Sequence, residues 1–281
     1  MGELCGKSVQ NAQMTQDRVG GIARKTVRYE GKNTGKTERF SGGFTGKTDF
    51  LAVATFRQTW YNAGKERGER MRDFPVFTTE YGVASLILKE VPYRQEAYII
   101  IQSTEQPEEL LKECVSFCRM VGAEKIYARG HEFVESYPVH CDILQMRGSV
   151  DVNEDNVENL WPVTEETIGS WRQYLNARLR SIDNAGTLEK NGENEILELG
   201  GAYFVHRDGK LLGAGWLVEE ELKLIAAEPG SGHKVFHTLL SVTHPEQLEL
   251  QVASTNLRAI RFYEKMGMIK TAALRRWYRI L

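Results

Sequence analysis

The stretch VASTNLRAIRFYEKMGMIKT, residues 252–271, reads as a strand end followed by a short helix marked at both ends. Asn256 stands where a side-chain oxygen can cap free backbone N–H groups, a role worth about 1 kcal/mol over alanine. Ala259, Phe262, Tyr263 and Met266 recur at three- and four-residue spacing, so they share one helical face. Gly267 then suits the left-handed position that stops a helix. Ala259 is small enough for close approach of a neighbour or ligand. None of this requires a tyrosine at 263, because any packing aromatic would complete the face.

Working outward, residues 150–281 give a regular order. LWPV (160–163) reads as a short strand, and Thr164 caps a helix carrying Ile168, Trp171, Leu175 and Leu179 at helical spacing. AYFVHRDGKLLGAGWLV follows, with Asp208-Gly209 as a hairpin turn. Glu219–Glu221 turn the chain into the strand LKLIAA. Glu228-Pro229-Gly230-Ser231-Gly232-His233-Lys234 then leads into an apolar helix through Val235, Leu239 and Val242. LELQVAS is a further strand, the Asn256 helix follows, and ALRRWYRI closes as a strand.

This order, with the segment from Val252 to Met268, resembles the GNAT-type acyl-CoA N-acetyltransferase family over about 120 residues. The likeness lies in a capping Asn256, small Ala259, aromatic Phe262 before Tyr263-Glu264, and Gly267 after a β-strand. It implies an α+β fold, a mixed and mostly antiparallel sheet flanked by helices. It implies acetyl-CoA as co-substrate, no metal, and transfer of an acetyl group to a primary amine on a small molecule or peptide. By the resemblance, Tyr263 protonates the departing thiolate, and backbone atoms of Ile225, Ala226 and Ala227 bond the pantetheine arm. Gly230, Ser231, Gly232, His233, Lys234 and Val235 would hold the pyrophosphate at a helix N-terminus, where unpaired N–H groups favour anions. Asn256 and Ala259 would flank the coenzyme. The loop departs from the family's Arg/Gln-x-x-Gly-x-Gly/Ala pattern. Ser231 takes the first position, Lys234 the middle glycine and Phe236 the last small residue. That departure keeps a second reading open, a non-catalytic acyl-CoA-binding or scaffold protein. Glu228, at the strand end, is the first choice for the base that deprotonates the amine; His206 and Glu249 are alternatives.

Residues 71–149 carry PVFTTEYGVASLILKEV and EAYIIIQS as strands joined around Pro92. A helix opens at Pro107-Glu108-Glu109, and KIYARG and HCDILQM are further strands. The order is that of a degenerate acetyltransferase half without the glycine-rich turn, giving a tandem with the complete half at 150–281. Cys114 and Cys118 sit one turn apart on the apolar face of the helix, where buried thiols are common and a metal site is not expected.

Residues 1–70 differ in texture, with 13 Lys and Arg against 7 Asp and Glu in a chain whose net charge is −2. They suit a basic, disordered tail. GKNTGKT (31–37) and SGGFTGKT (41–48) look like phosphate loops, but Glu30 and Ser41 stand where the first glycine is needed, and no hydrophobic strand precedes either. Lys65-Glu66-Arg67-Gly68-Glu69-Arg70 can be encoded wholly by purines just before Met71, as a translated ribosome-binding site would be, so 1–70 is also readable as a non-native extension.

The remaining composition is that of an ordinary globular protein, with 41% apolar and 26% charged residues. The near-neutral charge gives no general pull toward nucleic acid. No apolar run is long enough for a membrane span, and MGELCGKSVQ lacks the long apolar stretch of a secretory signal, so none is expected. Four cysteines are too few and scattered for a disulfide framework, which suits a reducing cytoplasm. The expected oligomeric state is monomer or homodimer.

Overall fold

The computed structural model describes residues 76–281 except Asp183, together with the backbone of 51–54. The two phosphate-loop look-alikes, Cys5 and the stretch before Met71 lie outside the described residues. All described elements belong to one compact unit, Lys47–Leu281.

The chain begins with β1 (Leu51–Ala54), β2 (Val76–Thr79), β3 (Gly82–Ile87), α1 (Val91–Arg94), β4 (Glu96–Thr104), α2 (Pro107–Met120), β5 (Lys125–Arg129) and β6 (Val139–Gly148). It continues through β7 (Asn159–Pro162), α3 (Ile168–Leu179), α4 (Glu193–Leu199), β8 (Ala202–Arg207), β9 (Lys210–Val218), β10 (Glu221–Ala227), α5 (Gly232–Leu240), β11 (Leu248–Ala253), α6 (Leu257–Lys265) and β12 (Ile269–Arg279). The strands make one mixed sheet in the order β2-β3-β4-β5-β12-β6-β11-β10-β9-β8-β7, with β1 paired to β10 off that path. Only β4–β5 and β10–β11 are parallel among the described pairs. The α+β class and the mostly antiparallel sheet therefore match the expectation.

Each parallel pair is bridged by a helix, α2 in the first case and α5 in the second, and each is preceded by an antiparallel neighbour. The last strands of the two series are exchanged. β6 pairs with β11, and β12 inserts between β5 and β6. The sequence boundary at 149/150 is thus not a seam in space.

Several local details differ from the sequence reading. PVFTTEYGVASLI is not one strand but a hairpin, turning at Glu80–Tyr81, and α1 intervenes before β4. Helix α3 starts at Ile168, because Thr164 first forms a turn whose carbonyl accepts from Thr167 and Ile168 N–H. Helix α4 is absent from the sequence reading. At seven residues it is too short for periodicity to declare it.

The two faces of β10 explain the helix positions. Ile225 and Ala227 enter one core with Val235, Phe236 and Leu239 of α5 and Ala259 and Tyr263 of α6. Leu224 and Ala226 enter another with Trp171, Leu175 and Leu179 of α3. Each large apolar side chain buried this way contributes about 1.5–3 kcal/mol. A Cβ on Gly215 would stand 2.3 Å from a Leu239 methyl, and one on Gly213 would stand 2.6 Å from a Val235 methyl. These two glycines therefore let α5 lie directly on β9. Under α2, Leu110, Leu111, Cys114 and Cys118 are buried as expected, and their thiols are free.

The segment after α3 is tied to α1 by buried polar groups. The Glu90 carboxylate is 1% exposed and accepts from Thr187 N–H at 2.7 Å and Thr187 hydroxyl at 2.6 Å. Arg94 donates to the carbonyls of Ile182 at 2.6 Å and Leu179 at 3.0 Å.

Candidate functional site

The site is built around a fork in the sheet. β10 and β11 are paired at one position, Glu221 opposite Glu249, and then part. Pairing of β10 with β9 shifts register between Leu222 and Leu224, a bulge at Lys223. Bulges end pairing locally and sharpen twist, which helps β10 leave its neighbour. Ile225, Ala226 and Ala227 are fully buried along this diverging segment. Their edge facing the fork is taken by β1, in the register Val53–Ile225, Ala52–Ala226 and Leu51–Ala227.

β10 runs out into the glycine-rich turn. Glu228 N–H donates to the Leu212 carbonyl at 2.8 Å, and Ser231 N–H to the Glu228 carbonyl at 3.0 Å. Gly230 has φ +79°, a conformation that favours glycine. Ser231 stands at the N-cap of α5, and its side chain makes no capping bond. Gly232 and His233 form the first turn. Val235 and Phe236 are core residues, with Phe236 edge-on to Phe262 at 5.3 Å. The Lys234 ammonium pairs with Glu158, and the side chain lines a second cleft beside the turn with Gly230, Ser231 and Lys210. Its charge is thus largely neutralised within the fold.

Glu228 is held from α3. Its Oε1 accepts from the Tyr174 hydroxyl at 3.1 Å and pairs with the Arg178 guanidinium. Burial, with Glu228 beside it, raises the Tyr174 hydroxyl above its ordinary pKa. Neither alternative base lies at the turn. Glu249 pairs with Arg147, and His206 packs edge-on to Trp161 at 4.8 Å.

Between the turn and α6 lies a cavity of about 560 Å³, lined by Glu228, Gly230, Gly232, His233, Leu257, Arg258, Arg261, Phe262 and Lys265. The three cations of α6 recur at three- and four-residue spacing, so one helical stripe faces the turn. The sequence carried this signal, but Ala259 and Tyr263 drew the reading to the other face. Arg178 and Tyr174, at helical i,i+4 spacing on α3, also escaped it.

On that other face, Asn256 Oδ1 accepts from Ala259 N–H at 3.2 Å, so the expected cap is present. Gly267 has φ +86°, as its position after the helix required. Ala259 is 1% exposed and Tyr263 is 0% exposed. The Tyr263 ring packs near Phe262 and Phe236 at centroid distances of 5.5 and 6.0 Å. Its hydroxyl is buried and has no hydrogen-bond partner among the described residues. Burial raises its pKa well above the usual 10, so the proton stays on oxygen throughout the neutral range. A buried hydroxyl without a partner costs about 1–3 kcal/mol.

Among the described residues, no group of three or more His, Cys, Asp or Glu side chains is placed to hold a metal, and no helix is long and apolar enough to cross a membrane.

No family model matches the chain, and no curated protein matches it. Solved structures similar to it include an acetyltransferase of the GNAT family from Colwellia psychrerythraea, at 15% identity and a TM-score of 0.40, covering 73% of this chain and 83% of that one. A GCN5-related N-acetyltransferase from Kribbella flavida aligns at 7% identity and 0.46, covering 72% and 58%. A conserved protein of unknown function from Staphylococcus epidermidis aligns at 9% and 0.45, covering 77% and 97%. All three lie under 0.5, so the functional reading rests on this chain's own geometry.

Proposed function

We propose that the protein is an acyl-CoA-dependent N-acetyltransferase acting on a primary amine, with residues 150–281 as the active half and 71–149 as a degenerate one. The observation that carries this is the Tyr263 hydroxyl, buried, protonated and unpartnered, on the helix beside the fork. The donor supplies a thioester carbonyl, activated for attack by nitrogen. Arg258, Arg261, Lys265 and the N–H groups of Gly232 and His233 suit its phosphates, while the β10 edge at Ile225–Ala227 suits its amide-bearing arm. The amine nitrogen forms a bond to the acyl carbon as the carbon–sulfur bond breaks. Tyr263 gives its proton to the leaving sulfur. In this reading Glu228 takes the amine's proton, with Arg178 and Tyr174 fixing one of its oxygens. Lys234 has no phosphate role in it, since Glu158 already holds its charge. The reaction suits a cytoplasmic protein, monomer or homodimer.

One observation favours the non-catalytic alternative: β1 lies on the edge that the donor's arm would use. Calorimetry with acetyl-CoA, joined to free-thiol release over a panel of amines, separates the two. Binding with thiol release supports the transferase, binding without release supports the scaffold, and no binding either by the wild type or by a variant with the β1 strand displaced rejects both. For Glu228, turnover lost in Glu228→Gln at unchanged coenzyme affinity supports the base. Unchanged turnover reduces it to an anchor for α3.

A further inference from the structure

β10 has two edges, and they are used very differently. β9 pairs with one edge from Glu221 to Ala227. On the other, β11 joins at Glu221 and then departs. Leu224 to Ala227 lie beyond that point, at the centre of the sheet, where backbone groups need partners. β1 lies there, with Ala54, Val53, Ala52 and Leu51 opposite Leu224, Ile225, Ala226 and Ala227 in antiparallel register. It is not on the main path of the sheet but wedged in the fork, with α3 and α6 beside it.

We propose that this fork is a strand-docking slot whose resident is residues 51–54 of the chain itself, and that the docked strand competes with the arm of an acyl-coenzyme donor. The docking half stands on the pairing alone. The competition rests on the transferase reading, because only that reading brings the donor to β10. The chemistry is shared: an extended peptide and an extended arm with two amides both present alternating donors and acceptors to a strand edge. A slot shared by two ligands lowers the apparent affinity for each by the fraction of molecules in which it is open. The described strand is four residues long and contributes no rung to the main path of the sheet, which stays continuous from β2 to β7 without it.

The test uses the full chain with Ala52→Pro and Val53→Pro together. Adjacent prolines remove the N–H that faces β10, whichever of the two it is. Hydrogen exchange at Ile225, Ala226 and Ala227 is measured without coenzyme, and coenzyme A is titrated by calorimetry into wild type and variant. The expected results are at least tenfold faster exchange at an amide of this edge and at least tenfold tighter coenzyme binding, about 1.4 kcal/mol. Unchanged exchange overturns the docking. Faster exchange with unchanged coenzyme affinity overturns the competition. Faster exchange with no coenzyme binding by either protein supports the docked strand and rejects the transferase reading. Ala52→Gly with Val53→Gly keeps every N–H but weakens strand preference. It should move both readouts the same way by less, and it serves if the proline variant does not fold.

Discussion

Replacing Tyr263 by Phe should raise stability and lower turnover together. The substitution removes one oxygen and keeps the ring between Phe262 and Phe236. The hydroxyl is fully buried and no described residue gives it a hydrogen bond in exchange for its lost hydration. Relieving that deficit should stabilise the fold by about 1–2 kcal/mol, within the usual cost of an unsatisfied buried group. For a chain of this size, a thermal midpoint rises by about 2–4 °C per kcal/mol. The same oxygen is the proposed acid, and loss of a general acid should lower kcat by about 10²-fold or more where chemistry limits the rate. Donors with a better leaving thiol should suffer less. Differential scanning calorimetry and single-turnover thiol release measure the two effects on one preparation. A clear loss of stability would refute the orphaned hydroxyl, and wild-type turnover would make Tyr263 a packing residue.

Other expectations follow from neighbouring features. Gly232→Leu should block backbone approach at the first turn of α5 and abolish measurable coenzyme A binding while leaving the fold intact, as circular dichroism would show; unchanged affinity would count against the turn as the phosphate site. Arg261→Ala with Lys265→Ala should weaken coenzyme A binding about tenfold and flatten its salt dependence, measured by calorimetry at two ionic strengths. Glu90→Ala leaves Arg94 buried without its counter-charge, so it should cost about 3–5 kcal/mol in urea unfolding, and Glu90→Gln should cost less. Burial pushes the Cys114 and Cys118 thiols up to about 12. Unfolded thiols ionise near 8.5, so stability should hold below that pH and fall as pH rises toward 12; Cys118→Ala should reduce the slope of unfolding free energy between about pH 9 and 11.

Local chemistry made much of the second half legible. Asp208-Gly209 set its hairpin because both residues adopt positive φ, at 50° and 74°. Asn256 and Gly267 set both ends of α6, because a side-chain oxygen and a missing Cβ act within a few residues. The turn at Glu80–Tyr81 escaped notice, since β-branched and aromatic residues continue through VFTTEYGVASLI without an Asn-Gly or Asp-Gly signal. The pairing of β1 with β10 was illegible for another reason. A backbone edge accepts many sequences, and residues 51–54 lie about 170 positions from their partners. The Glu228–Arg178 pair depends on α3 packing across β10, which no spacing along the chain announces. Lys234 looked like a phosphate ligand from its place in the turn, but the ion pair with Glu158 comes from a segment 76 residues away.

The exchange of β6 and β12 has a consequence for how the chain is made. β5 ends at Arg129, and the β12 residues that pair with it, Tyr278 and Arg279, come roughly 150 residues later. At about 5–20 residues per second, the ribosome needs about 7–30 s to supply them. Throughout that interval the first series of strands exposes an unpaired edge of β5, whose central residues are the apolar Ile126, Tyr127 and Ala128. Such an edge invites pairing with other nascent chains. β5 and β6 both wait for β12, the last strand made, so the yield of native protein should depend on holdase chaperones and on slow growth at low temperature more than its final stability would suggest.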